Sequence, residues 1–280
     1  SIAASDIFKK GGVPAIGITC TNPQVTEGNK HYFRICFLDP FQGTVLANYA
    51  KAQGATKAYC LSKLGDDYSG GLVNYFKKAF IDLGGEVVDE TFQEGNSDFT
   101  SYIANAKNAG AQVFFSPVST EAAALIVEQA SSQGLGMPIM AGDTWDSNVI
   151  LNAAKGKDVD IIVTTFYQEG GNPEFDKGIK EWVSADSTRL ANNGGDDKIA
   201  AVTAMGYDAY FVALEAIKAA GSKEPAKIND ALWNVNYDGV CGNVTFEPEN
   251  GDANRDKAYV KKANTETGDW DFVAEQGVEK

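Results

Sequence analysis

With 280 residues, 44% apolar and 22% charged side chains, and 15 Phe, 11 Tyr and 4 Trp, the chain can bury cores for two domains of ordinary size, which excludes wholesale disorder. Acidic residues exceed basic ones by 38 to 24, and the net charge of −14 comes with no basic run to neutralise phosphates, so a nucleic-acid partner is not expected. No stretch approaches the ~18 uninterrupted apolar residues of a membrane span, and the opening SIAASDIFKKGG has no apolar centre of the signal-peptide kind.

The first residues, IAASDIFKKGG, read as a helix that ends at Gly11 or Gly12 and leads into a strand, PAIGITC, at 14–20. A helix is predicted over 41–54, where Val45, Leu46, Tyr49 and Ala50 recur at the spacing of one buried face. Strand 57–63, helix 70–84, strand 86–92, helix 99–110, strand 112–118, helix 119–134 and strand 138–142 follow. Strand 160–167 and helices 175–186 and 200–221 complete the series. Gly54, Gly84, Gly110, Gly134 and Gly221 stand where a helix C-cap wants glycine. This alternation predicts an α/β fold: a mostly parallel sheet covered by helices on both faces, in a rhythm of strand and helix without an internal sequence repeat. After residue 235 the pattern turns strand-like and turn-rich, with Asp238-Gly239, Asn250-Gly251 and Gly268-Asp269 as turn signals.

Catalytic signatures are missing: there is no phosphate-binding glycine motif, no G-x-S-x-G and no H-E-x-x-H. Nothing in the sequence calls for a cofactor or a metal. Cys20, Cys36, Cys60 and Cys241 form no C-x-x-C pair and read either as small buried hydrophobes or as including one disulfide. His31 is the one histidine and would have to serve any His-dependent site alone. The acid pairs Asp66-Asp67 and Asp196-Asp197 lie outside any D-x-D-x-D-G calcium loop and read as solvated loop acids. In an open parallel sheet, ligands bind beyond the carboxyl ends of the strands. The residues there are Thr19 and Thr21, Asp66 to Ser69, Ser116 to Thr120, Asp143 to Trp145, and Tyr167. Each also fits a turn or cap, but together they offer hydroxyls, acids and aromatics with no nucleophile beside a base. That set suits holding a small zwitterion: hydroxyls and helix N-terminal amides take a carboxylate, an acid takes an ammonium, and aromatics cover the carbon skeleton.

The ordered stretches VPAIGITCTNPQVT, FRICFLDPFQGTVLANYA, DDYSGG, LGGEVV, SDFTSYI, AGDTWDS and GYDAYFVALEAI resemble the type I periplasmic binding proteins. The resemblance covers essentially the whole chain and is strongest to the branched-chain amino acid type of substrate-binding protein of ABC transporters. It implies two α/β lobes joined by three crossovers, a ligand held in the interlobe cleft, and closure by a hinge. It also implies that the first βαβ units of lobe one precede Ser1, so that lobe one is incomplete and the chain is an N-terminally truncated member. Lobe one is expected over 1–38 plus 169–254, and lobe two over 39–168 plus 255–280.

By resemblance, Thr19 and Thr21 receive the carboxylate and ammonium of an amino acid, Asp39 is an acid at the cleft mouth, and Tyr68 is an aromatic that closes on the ligand. Asp143 pairs with the α-ammonium, with Trp145 nearby, and Ser119 and Tyr167 line the cleft. Tyr207 and Asp208 of the GYDA motif are open between packing and ligand contact. The implied role is not enzymatic: a monomeric receptor that delivers an amino acid ligand to the membrane permease of an ABC importer, from the periplasm or from a lipid-anchored position on a single-membrane cell. The same fold also serves sensory modules of receptors and regulators, an alternative that the residues do not separate.

Overall fold

The computed structural model of the protein describes residues 1–277; residues 278–280, the end of the expected second lobe, lie outside the described residues. Along the chain run α1 (Ile2–Gly11), β1 (Ala15–Gly17), β2 (Tyr32–Arg34), α2 (Asp39–Ala52), β3 (Lys57–Lys63), α3 (Asp67–Asp82), β4 (Glu86–Phe92), α4 (Thr100–Asn108), β5 (Val113–Phe115) and α5 (Thr120–Ser132). Then come β6 (Ile139–Ala141), α6 (Asn148–Ala154), β7 (Ile161–Thr165), α7 (Pro173–Ser184), α8 (Ser187–Asn192), α9 (Ala201–Ala220) and α10 (Pro225–Leu232). The chain closes with β8 (Tyr237–Gly239), β9 (Gly242–Val244), β10 (Lys257–Asn264) and β11 (Asp269–Gly277). Single 3-10 turns occupy Pro23–Val25 and Asp143–Trp145.

The predicted strands at 57–63 and 86–92 have the observed bounds, and each long predicted helix is present within a few residues. The five glycines expected to end helices all take left-handed φ, between 55° and 86°. The short elements β2, α6, α8 and α10 had no periodic signal to announce them. The four cysteines are free thiols, Cys36 and Cys60 buried.

The chain divides into two compact units, the first made of Ser1–Leu38, Phe166–Leu190 and Asp197–Lys257, the second of Asp39–Thr165, Ala191–Asp196 and Ala258 onward. The second is built on a seven-stranded sheet of order β11-β10-β7-β6-β5-β3-β4. Strands β3 to β7 run parallel, and β10 joins β7 antiparallel, with Tyr259 opposite Thr165 and Lys262 opposite Ile162. Alternate residues of each strand feed opposite cores, which is why the parallel strands read as unbroken apolar runs. Tyr59, Leu61, Phe114, Ile139 and Val163 pack with Ile103, Ile126 and Ile150 of α4, α5 and α6. On the other face Ala58, Cys60, Phe115, Met140 and Ile162 pack with Leu46 and Phe76 of α2 and α3. Gly43 lets α2 and α3 approach, since a Cβ there would sit 2.7 Å from the backbone nitrogen of Phe76.

In the first unit β1 and β2 form a parallel pair, Ala15 opposite Tyr32 and Gly17 opposite Arg34. Arg34 is fully buried and organises the loop after β1. Its Nε donates to Asp252 Oδ1, Nη1 to the carbonyls of Cys20 (2.9 Å) and Asn22, and Nη2 to Thr26 Oγ1 (2.7 Å) and the Pro23 carbonyl. Thr26 Oγ1 in turn donates to Asp252 Oδ1 at 2.8 Å. A guanidinium with all its nitrogens engaged is the group best suited to burial as a charge. The expected turn at Asp238-Gly239 falls elsewhere: both residues belong to β8, and the hairpin reverses at Val240-Cys241. The cause is Asp208 on α9, whose buried carboxylate accepts the amides of Val240 (2.8 Å) and Cys241 (2.9 Å).

Candidate functional site

Asp143 follows β6 at the carboxyl end of its strand, as the topology of a parallel sheet predicts for a ligand-handling acid. Gln42, on the first turn of α2, donates from Nε2 to Asp143 Oδ1 at 3.1 Å and to Thr164 Oγ1 at 3.0 Å. Tyr68, on the first turn of α3, donates its hydroxyl to the same Oδ1 at 3.1 Å and accepts from Thr144 Oγ1 at 3.5 Å. Both donors therefore fall on one oxygen of the carboxylate. Desolvation pushes the Asp143 carboxyl from 3.8 up to about 6, against the opposing pull of Gln42 and Tyr68, with the charge of Asp146 adding a smaller upward push. Burial first, and then the neighbouring Asp143 charge, raise the Tyr68 phenol well above its ordinary range, so it remains a neutral donor. A half-buried acid poised near neutrality and held from one side is suited to receiving a cation.

The glycine before it makes room for this arrangement. A Cβ on Gly142 would lie 2.5 Å from the Tyr68 hydroxyl, 2.8 Å from Leu72 Cδ2 and 3.1 Å from Gln42 Nε2. Its backbone, at φ −85°, is one that any residue adopts, so the requirement is for space alone. Gly142→Ala is expected to lower the unfolding free energy by about 1–3 kcal/mol, read by chemical denaturation; an unchanged value would show that Tyr68 and Gln42 move aside without resistance.

Beneath this cluster the chain is rigidly supported. Trp145 is fully buried among the residues of the α5 and α6 face, and its indole N–H donates to the Val118 carbonyl at 2.9 Å. Asp146 accepts from Thr165 Oγ1 at 2.6 Å and from the ammonium of Lys261 on β10 at 3.1 Å, a pair whose side chains are both 2% exposed. Asp39 is the first residue of α2, fully buried, where the positive end of the helix favours its charge. Ser119 is exposed ahead of α5 and makes no capping bond with its side chain.

The sequence-predicted residues of the first unit lie on a separate frame. Thr19 is half-buried in the bend after β1. Thr21 is 1% exposed, and its hydroxyl has no hydrogen-bond partner among the described residues. Both stand on the loop that Arg34 grips through Cys20 and Asn22. Tyr167 is buried, donates its hydroxyl to Asp176 Oδ1 at 2.7 Å and accepts from the Asn172 amide at 3.0 Å. Tyr207 is half-exposed and lies edge-on to Phe175, ring centres 5.0 Å apart. His31 contributes its backbone, donating to Asn29 Oδ1 and accepting from the Ala15 amide.

Thus the structure brings together Asp143 and Tyr68 from among the predicted residues and adds Gln42 and Thr164, which the sequence reading passed over. One signal was available for Gln42. It stands three and four residues before Val45 and Leu46, on the apolar face of α2, where a polar side chain calls for a reason. Among the described residues no group of three or more His, Cys, Asp or Glu side chains is placed to hold a metal ion.

Sequence and fold both have known relatives. The sequence profile of the periplasmic binding protein family matches residues 1–268. Leu/Ile/Val-binding protein homolog 1 of Brucella abortus (strain 2308) is 31% identical over 255 residues, covering 90% of this chain and 66% of its own. The chain thus spans just under two thirds of the length of that relative. The crystal structure of a leucine-binding protein from Thermotoga maritima MSB8 superposes with a TM-score of 0.82 at 32% identity, over 99% of this chain and 76% of the other. A branched-chain amino acid transporter substrate-binding protein from Streptococcus pneumoniae, solved with isoleucine, gives a TM-score of 0.80 at 25% identity, over 99% and 76% of the two chains.

Proposed function

Because the chain belongs to the periplasmic binding protein family, we propose that it is the extracytoplasmic solute-binding receptor of an ABC importer and that its ligand is a small amino acid of the branched-chain class. The observation that carries this reading is Asp143, an acid at a strand end whose Oδ1 is held by Gln42 and Tyr68. A carboxylate so held is matched to an α-ammonium, while the Thr19 and Thr21 hydroxyls and the amides of their loop are matched to an α-carboxylate. In this reading lobe one is 1–38 plus 169–254 and lobe two 39–168 plus 255–280, bounds close to those of the two compact units, although Phe166 to Gln168 group with the first unit and Ala191–Asp196 with the second. Closure follows only if the ligand gains contacts in the closed state that it lacks in the open one. Trp145 acts from below, fixing the loop, with Asp39, Ser119 and Tyr167 at the margins of the ligand space.

The names of the relatives support the choice of ligand class, since they are named for leucine, isoleucine and valine. No described helix is long and apolar enough to cross a membrane. In this reading the partner is the membrane permease of the importer, and the receptor works as a monomer in the periplasm or anchored by lipid at the surface of a single-membrane cell. Titration calorimetry of the full-length protein against L-leucine, L-isoleucine, L-valine and benzoate tests the reading. Saturable one-to-one binding of the aliphatic amino acids is expected. Binding of benzoate in their place would overturn the amino acid assignment and leave Asp143 without its proposed partner.

A further inference from the structure

Gln42 has an unusual hydrogen-bond balance. Its side chain is fully buried, its Nε2 serves two acceptors, Asp143 and Thr164, and its Oε1 is buried with no donor among the described residues. Leaving a buried acceptor unmet is costly, and a methionine of nearly the same shape would avoid the cost. A position chosen for packing alone would not hold glutamine. The residue also joins distant parts of the second unit: α2 begins at the Leu38/Asp39 boundary, and Thr164 stands two residues before the boundary at Phe166.

We propose that Gln42 is the positioning residue of the ammonium site, holding one oxygen of Asp143 against the end of β7 so that the carboxylate is presented to the ligand in a single orientation. This rests on the amino acid reading above and extends it to a fully buried residue that acts through Asp143. The directional influences agree: the Gln42 hydrogen bond is the foremost of those that hold the Asp143 carboxyl down against desolvation. The charged and titratable groups around Asp143 are Tyr68 on α3, Asp39 on α2, which acts on Tyr68, and Asp146 on the same loop, itself paired with Lys261 on β10. Gln42 itself does not titrate, so its removal takes no titrating group from this set.

The test is Gln42→Met in the full-length protein, with two readouts. Titration of L-leucine across pH 5 to 8 is expected to show affinity reduced about tenfold at neutral pH and the midpoint of its loss on acidification raised by about one pH unit, with unfolding by urea unchanged or slightly more difficult. Unchanged affinity and midpoint together with easier unfolding would overturn the proposal and make Gln42 a structural residue. Should the wild-type protein not bind L-leucine, the ligand reading fails by itself. The pH dependence of urea unfolding in wild type, Asp143→Asn and Gln42→Met then decides the role of Gln42: a shifted Asp143 titration in Gln42→Met supports it, and an unshifted one overturns it.

Discussion

With asparagine in place of Asp143, the affinity for L-leucine is expected to fall by about 2–5 kcal/mol, a factor of roughly 30 to several thousand, because the ligand ammonium loses its charged partner in a partly desolvated site. The isosteric change keeps an acceptor for Gln42 and Tyr68, so the loop geometry survives and the loss measures charge. The same carboxyl gives two pH dependences of opposite sign. Its value in the folded protein, about 6, lies above its ordinary 3.8. Between those values the ligand-free folded state holds more proton than the unfolded chain, so the contribution of this group to stability grows as pH falls from about 6 toward about 4 and is lost as pH rises through about 6. Ligand binding requires the ionised form and runs the other way, weakening as pH falls through about 6. Urea unfolding and calorimetry on one preparation read both slopes, and Asp143→Asn should flatten both. Parallel slopes, or slopes that persist in the variant, would assign the titration to another group.

The largest expected loss of stability follows Arg34→Met. This substitution leaves Asp252, 5% exposed, without its guanidinium and the Cys20 carbonyl without its donor, while the carbonyls of Asn22 and Pro23 keep only the backbone amides of Val25 and Thr26 and the Thr26 hydroxyl. Breaking a buried pair from one side costs about 3–5 kcal/mol, because the surviving charge is stranded rather than because the pair itself was strongly favourable. The companion change follows from that argument: Asp252→Asn in the Arg34→Met background should recover part of the loss. Denaturant midpoints for the two single variants and the double variant measure the coupling. Purely additive losses would show that the two side chains act independently. The grip of Arg34 on the loop of Thr19 and Thr21 also predicts that ligand affinity falls with stability in the single variant.

The local grammar of the chain was legible without coordinates. Strands β3 and β4, the long helices and their terminal glycines follow from apolar spacing and from left-handed backbone that glycine adopts freely, both carried by neighbouring residues. The parallel order of the sheet made the end of β6 the place to look, and Asp143 with Tyr68 was within reach. The sequence alone, by its alternating pattern and by the acid, hydroxyl and aromatic residues at its strand ends, thus determined an α/β frame and a set of residues suited to holding a small zwitterion, from which the family resemblance singled out Asp143. Only tertiary structure decided how that acid is held. Gln42 meets Asp143 across 101 residues, Lys261 meets Asp146 across 115, and Arg34 meets Asp252 across 218. Trp145, expected near the ligand, took its place in the core because its indole found both an apolar face and the Val118 carbonyl. The hairpin tip moved from Asp238-Gly239 to Val240-Cys241 because Asp208, some thirty positions earlier, captured two amides. A turn preference is a local quantity of modest size, whereas a buried carboxylate must find donors wherever the fold puts them, and that need is written in no single stretch of sequence.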